Sequence, residues 1–284
     1  MNMLLAFLLM IFPMILVLGC LVWYRKRYDN QAEKPFTEPP LRPAGEALSV
    51  KIDDIVEKAQ DKVIFLIGIS IIGDILLQAT GQKPGTVISL FILVLIISIW
   101  VGVQLVKLMK ELLNHRLGLL GERVVGECLN QLMLQGHRVF HDLPFDGFNI
   151  DHVVVGPSGI FAVETKAHRK LKDKKGRKES RVLFDGKTLQ WPGGFVDNKA
   201  PEQAVLNAKT LWKWLSEATG DKIWVDPVLV IPGWYVERKA NGGIAVLNEK
   251  EIGSFLSSKP SNKMSAEQIQ RAVYQLSQKC RLAV

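Results

Sequence analysis

Two carboxylates and a lysine, Asp151, Glu164 and Lys166, could carry chemistry in this 284-residue chain. They belong to two apolar, β-branched runs, residues 151–155 and 160–166, which are separated by the sequence Gly-Pro-Ser-Gly. Such runs are typical of strands, and the sequence between them predicts the turn of a β-hairpin. If those four residues form the loop, Asp151 lies directly opposite Glu164, and Lys166 shares the face of Glu164.

The register of this hairpin decides whether the charged groups meet. A three-residue loop with Gly159 in a bulge would pair Asp151 with Thr165 and turn Glu164 to the other face. We exclude a two-residue primed turn because Pro157 cannot adopt the positive φ that such a turn requires. We favour the four-residue loop because it aligns a core stripe on the opposite face: Val154, Phe161 and Val163.

Phosphodiester hydrolysis explains why these residue types would occur together. The reaction needs a hard cation that neutralises phosphate charge and acidifies a water, and Mg²⁺ is usually held by one or two carboxylates. Asp151 and Glu164 are therefore candidate ligands for Mg²⁺ or Mn²⁺. Lys166 is the candidate that orients the water or stabilises the transition state. The alternative is an ordinary cross-strand ion pair at a solvated strand end.

Two further motifs flank the hairpin. Upstream, a Gly-Glu pair that ends in Glu122 lies in an amphipathic pattern that predicts a helix over residues 118–132. Downstream, Gln203 opens a second helical pattern. Together with the Ile-Asp-His and Glu-Thr-Lys strands, this order of motifs over residues 118–255 resembles the nuclease-related domain (NERD) family, a branch of the restriction-endonuclease-like superfamily.

The resemblance implies a role for each matching residue. Asp151 corresponds to the metal-binding aspartate, and Glu164 and Lys166 correspond to the Glu-x-Lys pair. Glu122 matches the helix glutamate of the family, and Gln203 matches its supporting glutamine near the active site. The family pattern is Asn-Pro-x-x-Gln, whereas here the proline stands only two residues before the glutamine. For Glu122 the alternative is a carboxylate that interacts favourably with the dipole of its helix.

Three apolar stretches, residues 3–22, 63–79 and 87–106, are long enough to cross a hydrocarbon core of ~30 Å. Prolines and a short amphipathic pattern separate the first stretch from the second. We therefore divide the chain into a first transmembrane helix (1–28), a Pro-rich linker with an amphipathic stretch (29–62), a transmembrane hairpin (63–106) and a cytoplasmic nuclease-related domain (107–284).

Basic residues set the predicted orientation. They follow the first apolar stretch, precede the second and follow the third, whereas the loop between the second and third carries only Lys83. The positive-inside rule then predicts a three-pass protein of the bacterial inner membrane, with its N-terminus outside and its C-terminal domain in the cytoplasm. A lipoprotein signal that ends at Cys20 is the alternative, but no positive charge precedes the apolar run.

Asp74 is the one ionisable residue inside the predicted spans. It could line an ion path or pair with Gln104 across the helices, and we favour a structural or oligomeric contact. The transmembrane helices would then pack against a second copy of the chain or a membrane partner. The three cysteines lack paired or metal-ligand spacing, which suits a reducing compartment and rules out a disulfide framework.

Positive charge is concentrated in the C-terminal part of the chain. Residues 1–106 hold nine basic and nine acidic side chains, so the whole net charge of +8 belongs to residues 107–284. The densest basic run supplies the candidate nucleic-acid-binding residues Arg169, Lys170, Lys172, Lys174, Lys175, Arg177 and Lys178. A loop of this kind can follow a phosphate backbone. The alternatives are a patch that binds anionic headgroups and an inert solvated loop.

The remaining pattern gives the fold class. Apolar runs predict strands at residues 138–141, 181–184, 228–231 and 245–247, and helical patterns cover residues 204–219, 249–256 and 265–280. We therefore expect an α/β protein in which membrane-anchoring helices precede a restriction-endonuclease-like domain. In that domain a mixed central sheet would be flanked by helices.

These observations favour a membrane-anchored, Mg²⁺-dependent nuclease, with DNA expected more than RNA as its substrate. Two other classes stay open. One is a catalytically silent nuclease-fold module that binds nucleic acid or a partner at the inner membrane, and metal dependence would separate it from the enzyme. The other is a small subunit of a membrane complex, which copurification of a larger partner would favour.

Overall fold

The structure is a computed structural model that describes residues 12, 16–27, 38–81, 83–170, 180–258 and 264–282. Contacts group the chain into two units, residues 41–282 and residues 1–40 with 283–284. In the smaller unit, residues 16–27 are helical. Most of the first predicted transmembrane stretch therefore lies outside the described residues.

Two long helices open the larger unit, α1 Glu46–Ala79 and α2 Pro84–Asn130. Their 34 and 47 residues extend over about 51 and 70 Å. Both are long and apolar enough to cross a membrane, by length and composition. The predicted helix over residues 118–132 is the last part of α2 and the 3₁₀ turn that follows it, because the good helix formers of residues 107–117 continue α2 without a break.

The two helices run antiparallel and contact each other near the middle and near the base of the hairpin, the base being the end opposite the connecting loop. Near the middle, Lys62 Nζ lies 5.8 Å from the centroid of the Trp100 ring. Near the base, a Cβ on Gly118 would lie 3.1 Å from Leu48 Cδ1. The start of α1 and the last third of α2 are therefore at the same end of the hairpin.

Asp74 has its hydrogen-bond partner within α1. Gln78 Nε2 donates to Asp74 Oδ2 over 2.9 Å, and both side chains are exposed. The pairing of Asp74 with Gln104 is wrong, because the antiparallel register places Gln104 beside the part of α1 near Lys62.

The helical hairpin is followed by short strands and three further helices. The strands are β1 Arg138–Phe145, β2 Phe148–Gly156, β3 Gly159–Thr165, β4 Arg181–Phe184, β5 Leu189–Gln190, β6 Val196–Asp197, β7 Val225–Val230, β8 Tyr235–Arg238 and β9 Ala245–Leu247. The helices are α3 Lys199–Thr219, α4 Ile252–Ser258 and α5 Ala266–Lys279, and a 3₁₀ turn, Gln131–Gln135, follows α2. A capping box formed by Ser265 and Gln268 begins α5.

Five strands form a mixed sheet in the order β1-β2-β3-β7-β9. The first three pair antiparallel, whereas β7 and β9 continue the sheet in parallel to β3. The α/β class, with helices followed by a mixed sheet, is confirmed, and β9 is an edge strand as predicted. The order is consistent with the restriction-endonuclease-like superfamily.

The β2–β3 hairpin has the favoured register, since Val155 pairs with Ile160. The pairing continues to Gly156 and Gly159, so only two residues connect the strands. The predicted four-residue loop is therefore too long, whereas the exclusion of a primed turn agrees with the structure. Pro157 keeps a negative φ, and Gly159, with a φ of 122°, supplies the unusual backbone conformation directly after the turn.

Helices cover both faces of the five-stranded sheet. The predicted stripe of Val154, Phe161 and Val163 packs against α2 and α4. The alternate residues of β2 and β3, with Val153 and Ala162 among them, pack against α3 and α5. Strand alternation puts Asp151 and Glu164 on this second face, toward α3.

A second, four-stranded sheet has the order β6-β5-β4-β8, so the expectation of one central sheet is wrong. The sequence pattern predicts only β4 among these strands, because β5 and β6 are two residues long and carry no periodic signal. Its core includes Phe184, Trp191 and Trp234 and meets the first sheet at Leu229 and Ile231.

Helix α3 begins at Lys199 rather than at the predicted Ala204. Asp197 Oδ1 accepts the backbone N–H groups of Lys199 and Ala200 over 2.9 and 3.2 Å. Pro201 lies in the first turn, where a missing N–H costs no helical hydrogen bond. The proline therefore marks the beginning of this helix and not a break before it.

Candidate active site

Asp151 and Glu164 lie where β2 and β3 separate. The last ladder pair before them joins His152 to Val163. Beyond that pair, the backbone N–H of Thr165 donates to Asp151 Oδ2 over 2.7 Å, which anchors this carboxylate to β3. Burial, followed by the negative charge of Asp151, raises the pKa of Glu164, so the two carboxyl groups interact as the register predicts.

Glu122 reaches the same place from α2. A Cβ on Gly121 would lie 2.7 Å from Ala167 Cβ, so the glycine allows α2 to approach the end of β3 closely. Glu122 is 8% exposed, and burial, followed by the charges of Asp151 and Asp142, raises its pKa to about 9. The Gly-Glu motif thus adds a third carboxyl group to the pair.

The other two carboxyl groups titrate abnormally for the same reason. Burial is the largest cause that raises the pKa of Asp151 to about 7. Burial, followed by the charges of Asp151 and Glu122, raises the pKa of Glu164 well above its usual range. Lys166 opposes the shifts of Asp151 and Glu164, and Lys51 opposes the shift of Glu122.

The donor set of this carboxylate cluster fits a hard divalent cation. Such an ion would offset the neighbouring negative charges that add to burial in raising the three pKa values, and carboxylate oxygens suit Mg²⁺ or Mn²⁺. Among the described residues, no group of three or more His, Cys, Asp or Glu side chains is arranged to hold a metal. Mg²⁺ commonly takes only one or two carboxylates and keeps several waters, so Asp151 and Glu164 are a sufficient pair.

Lys166 continues β3 toward the second sheet. Its backbone N–H donates to the carbonyl of Val230 over 2.8 Å. Its Nζ lies 3.7 Å from Oδ2 of the buried Asp197, and 41% of its side chain is exposed. Asp197 was not among the predicted site residues, although an aspartate just before the start of a helix is a recognisable capping signal.

Gln203 acts at a distance from the carboxylates. Its Nε2 lies 3.3 Å from Asn207 Oδ1, one turn further along α3. Asn207 Nδ2 in turn donates to Glu164 Oε2 over 2.7 Å, and Asn207 is 1% exposed. Asn207 was not among the predicted site residues. The only feature of the sequence that could have indicated it is a polar residue on the apolar face of a helical pattern.

Asp142 is a fourth buried carboxylate beside the cluster. It stands on β1 across from Asp151 and has a positive φ of 52°. Arg42 Nε donates to its Oδ2 over 2.8 Å, and the Ala47 N–H donates to the same oxygen over 3.1 Å. Asn149 Nδ2 donates to Oδ1 over 3.0 Å. The carboxylate therefore fixes the start of α1 to the sheet.

Residues before and within the first turns of α1 thus form one wall of the site. Gly45 has a positive φ of 77°, and a Cβ there would lie 2.3 Å from Leu119 Cδ1 and 3.5 Å from Glu122 Oε2. The N–H of Arg42 donates to the carbonyl of Cys280 over 2.9 Å. The sequence predicts only a linker with an amphipathic stretch here, because nothing local in the chain indicates contacts with residues about 100 positions away.

Two of the predicted nucleic-acid-binding residues lie in the described part of the chain. Arg169 is exposed, and Lys170 Nζ lies 5.6 Å from the centroid of the Trp234 ring. The other five, Lys172, Lys174, Lys175, Arg177 and Lys178, lie outside the described residues.

His152 points away from the carboxylates, as its position in the strand predicts. It is fully buried, and its Nδ1 lies 2.9 Å from Nδ1 of His141. His141 Nε2 lies 3.0 Å from Asn130 Oδ1 at the end of α2. His152 is therefore a packing residue on the face of the sheet opposite the carboxylates.

Comparison with known proteins identifies one match. The family model described as NERD, nuclease-related domain, matches residues 117–232. A search of curated proteins and a search of solved structures found no match. The matched range includes Glu122, Asp151, Glu164, Lys166 and Gln203 but excludes the start of α1.

Proposed function

We propose that the chain is a membrane-anchored, Mg²⁺-dependent nuclease that hydrolyses phosphodiester bonds of nucleic acid, with DNA preferred over RNA. The observation that carries this proposal is the cluster of Glu122, Asp151 and Glu164 beside Lys166. Three separate elements bring these carboxyl groups together within a nuclease-related domain. Burial raises the pKa values of all three, and neighbouring negative charges add to each shift.

Asp151 and Glu164 would hold the metal, for which Mn²⁺ could substitute. When bound, the ion supplies charge neutralisation at the phosphate and a water of lowered pKa. Thr165 keeps the Asp151 carboxylate in place through its N–H, and Asn207 does the same for Glu164 through its amide. Gln203 supports that amide in turn, so its role is to position a metal ligand.

Lys166 would bind the negative charge that develops on the phosphate, as a lysine point charge can do without a fixed hydrogen-bond geometry. Its partner Asp197 accepts a backbone N–H group at the start of α3. This fixed carboxylate holds the ammonium group near the carboxylate cluster. Glu122 would serve as a general acid toward a substrate oxygen, because burial raises its pKa to about 9.

The membrane-spanning segments of this proposal are residues 63–79 of α1 and 87–106 of α2. Their antiparallel arrangement leaves the base of the hairpin, where the carboxylate cluster lies, on one side of the bilayer. Glu122 follows residue 106 by 16 positions, or about 24 Å of helix, so the site stands clear of the headgroups. The basic residues of the base favour the cytoplasmic face of a bacterial inner membrane.

Metal-dependent cleavage tests the enzymatic proposal. The purified full chain in detergent should cleave labelled DNA with Mg²⁺ or Mn²⁺ and lose this activity with a chelator. Asp151→Asn and Glu164→Gln should each abolish cleavage while the melting temperature stays within a few degrees. Cleavage retained by both variants would refute the metal site. The full chain is required because Arg42 and the first turns of α1 complete the site.

Cysteine labelling tests the membrane topology. In a Cys20→Ser background, which removes the exposed native thiol, Gly85→Cys should react with an impermeant maleimide added outside intact cells. Leu134→Cys, at a side chain that is 92% exposed in the nuclease-related domain, is the matched control and should react only after lysis. The opposite pattern would place the domain outside the cell.

The contact between Lys166 and Asp197 favours a second candidate, a catalytically silent module that binds nucleic acid or a partner at the membrane. There the lysine would serve the fold by pairing with a buried carboxylate. Such a protein would bind oligonucleotides equally well with and without metal and would not cleave them.

A further inference from the structure

We propose that Phe195 and His168 form a base-stacking platform, which selects nucleic acid with unpaired nucleotides next to the cleaved bond. This inference rests on the proposed function and names the substrate class of the same site. It starts from a group of aromatic rings that links the core of the second sheet to the surface beside Lys166.

Three rings of this group have nearly parallel planes. The His168 ring lies 4.2 Å from the Trp191 ring at an angle of 21°, and 6.0 Å from the Phe195 ring at 22°. The Trp191 ring also meets the edge of Trp234 at 4.9 Å. Trp191 and Trp234 are each 3% exposed, whereas Phe195 is 54% exposed. The stack therefore has a fixed inner end and an open outer end.

A glycine turn holds the outer ring in position. The Trp191 N–H donates to the carbonyl of Phe195 over 2.8 Å, and the Gly194 N–H donates to the carbonyl of Trp191 over 3.2 Å. Gly193 and Gly194 have φ values of 86° and 85°, a conformation that other residues adopt only with strain. Phe195 is thus presented by a closed turn between β5 and β6.

The platform is close to the catalytic groups. Phe195 and Asp197 are two residues apart along an extended segment, and hence about 7 Å apart on the same face. Asp197 contacts Lys166 at 3.7 Å, and His168 follows Lys166 by two residues. A base held on Phe195 would therefore belong to a nucleotide next to the phosphate at the carboxylates.

Charge around the platform suits a nucleic acid strand. Lys166 and Arg169 are at least partly exposed, and Lys170 lies over the Trp234 ring. Aromatic rings beside lysine and arginine bind single strands without sequence preference, because every unpaired base offers a π-face. Paired bases inside a duplex are stacked on their neighbours and cannot offer one. The platform therefore discriminates by strandedness.

Oligonucleotide affinity of Phe195 variants tests this inference. The full chain in detergent is titrated with a labelled single strand and with the blunt duplex of the same sequence. The buffer contains Ca²⁺, and a gel verifies that the substrate stays intact. Phe195→Ala should weaken single-strand binding by about 5- to 150-fold, the equivalent of the ~1–3 kcal/mol that one stacked base contributes. Duplex affinity should change less than about twofold, and Phe195→Trp should restore single-strand binding.

Tyr274→Ala is the matched control, since Tyr274 is an aromatic residue of α5 with 61% exposure, and it should leave both affinities unchanged. Equal losses for both substrates, or no loss for either, would overturn the platform. A fluorescent probe attached at Phe195→Cys tests whether this residue contacts lipid in vesicles. Quenching of the probe by a lipid-attached quencher, together with unchanged oligonucleotide affinity, would overturn the platform and assign Phe195 to the bilayer surface. Cleavage by the wild type with Mg²⁺ is scored separately, so failure of the platform and failure of the nuclease are distinguishable.

Discussion

The helical hairpin and the five-stranded sheet contain the same types of apolar residue, which are exposed in the hairpin and buried in the sheet. In the hairpin, the side chains of Ile96 and Phe91 are 60% and 67% exposed, whereas Ile150 and Phe161 in the sheet are completely buried. The most apolar windows of α1 and α2 are 0% and 6% buried inside the protein. The sheet is thus stabilised by helices of its own chain, while the hairpin presents an apolar surface that suits lipid.

Polar groups differ between the two regions in the same way. In the hairpin, Asp74 has a local partner one helical turn away, in Gln78. At the end of the sheet, carboxyl groups from distant parts of the sequence meet, and their pKa values rise. A contact between residues one turn apart needs only the helix, whereas a cluster of carboxyl groups from distant parts of the sequence requires the tertiary fold.

Truncation of a buried and of an exposed isoleucine tests the difference in surroundings. Ile150→Ala should lower the free energy of unfolding by about 2–5 kcal/mol, because it removes a fully buried side chain and leaves a cavity. Ile96→Ala should change it by no more than about 0.5 kcal/mol in detergent. Denaturant melts of both variants measure these values, and equal losses would show that the hairpin is packed inside a protein core.

Removal of the lysine charge tests whether the polar end of the sheet is catalytic. Lys166→Ala should slow cleavage by about 100-fold or more, because it takes a charge from the transition state, while metal affinity is retained. Lys250→Ala, at an exposed lysine elsewhere in the domain, is the control. Single-turnover assays measure both rates. An unchanged rate in Lys166→Ala would return the residue to a structural pairing with Asp197.

A glycine substitution tests the junction where the two regions meet. Gly45→Ala should destabilise the protein by about 1–3 kcal/mol, because it adds a Cβ to a residue with positive φ and places that atom against Leu119. Gly253→Ala in α4 is the control, since nothing lies within 4 Å of the added Cβ. Thermal melts compare the two variants. A neutral result for Gly45→Ala would show that the start of α1 detaches from the site.

The pH dependence of stability gives the finest test of the carboxylate cluster. The pKa of Glu122 rises from 4.5 to about 9 on folding, so its contribution is fully present below pH 4.5 and is lost as pH rises toward 9. Asp151 behaves alike toward pH 7. The melting temperature of the metal-free protein should therefore fall by several degrees between pH 7 and 9, and Glu122→Gln should flatten this slope. An equally steep slope in that variant would separate Glu122 from the cluster.

Alternation and spacing along the sequence determined the hairpin that carries the site. Apolar residues at every second position fixed the faces and the register of β2 and β3. Asp151 and Glu164 therefore lie on one face, directly beyond the last pair of the ladder. The Gly-Glu motif predicted that Glu122 belongs with this pair. Hydropathy likewise predicted the apolar stretches 63–79 and 87–106, which lie within α1 and α2, because this property depends only on neighbouring residues.

Only the tertiary structure showed what surrounds these residues. Asp142 receives Arg42 from 100 positions away, and Asn207 reaches Glu164 across 43 positions. A short strand that carries no periodicity placed Asp197 beside Lys166. Such contacts depend on how separate elements pack against one another, and local sequence patterns report the environment of a residue without naming its distant partner.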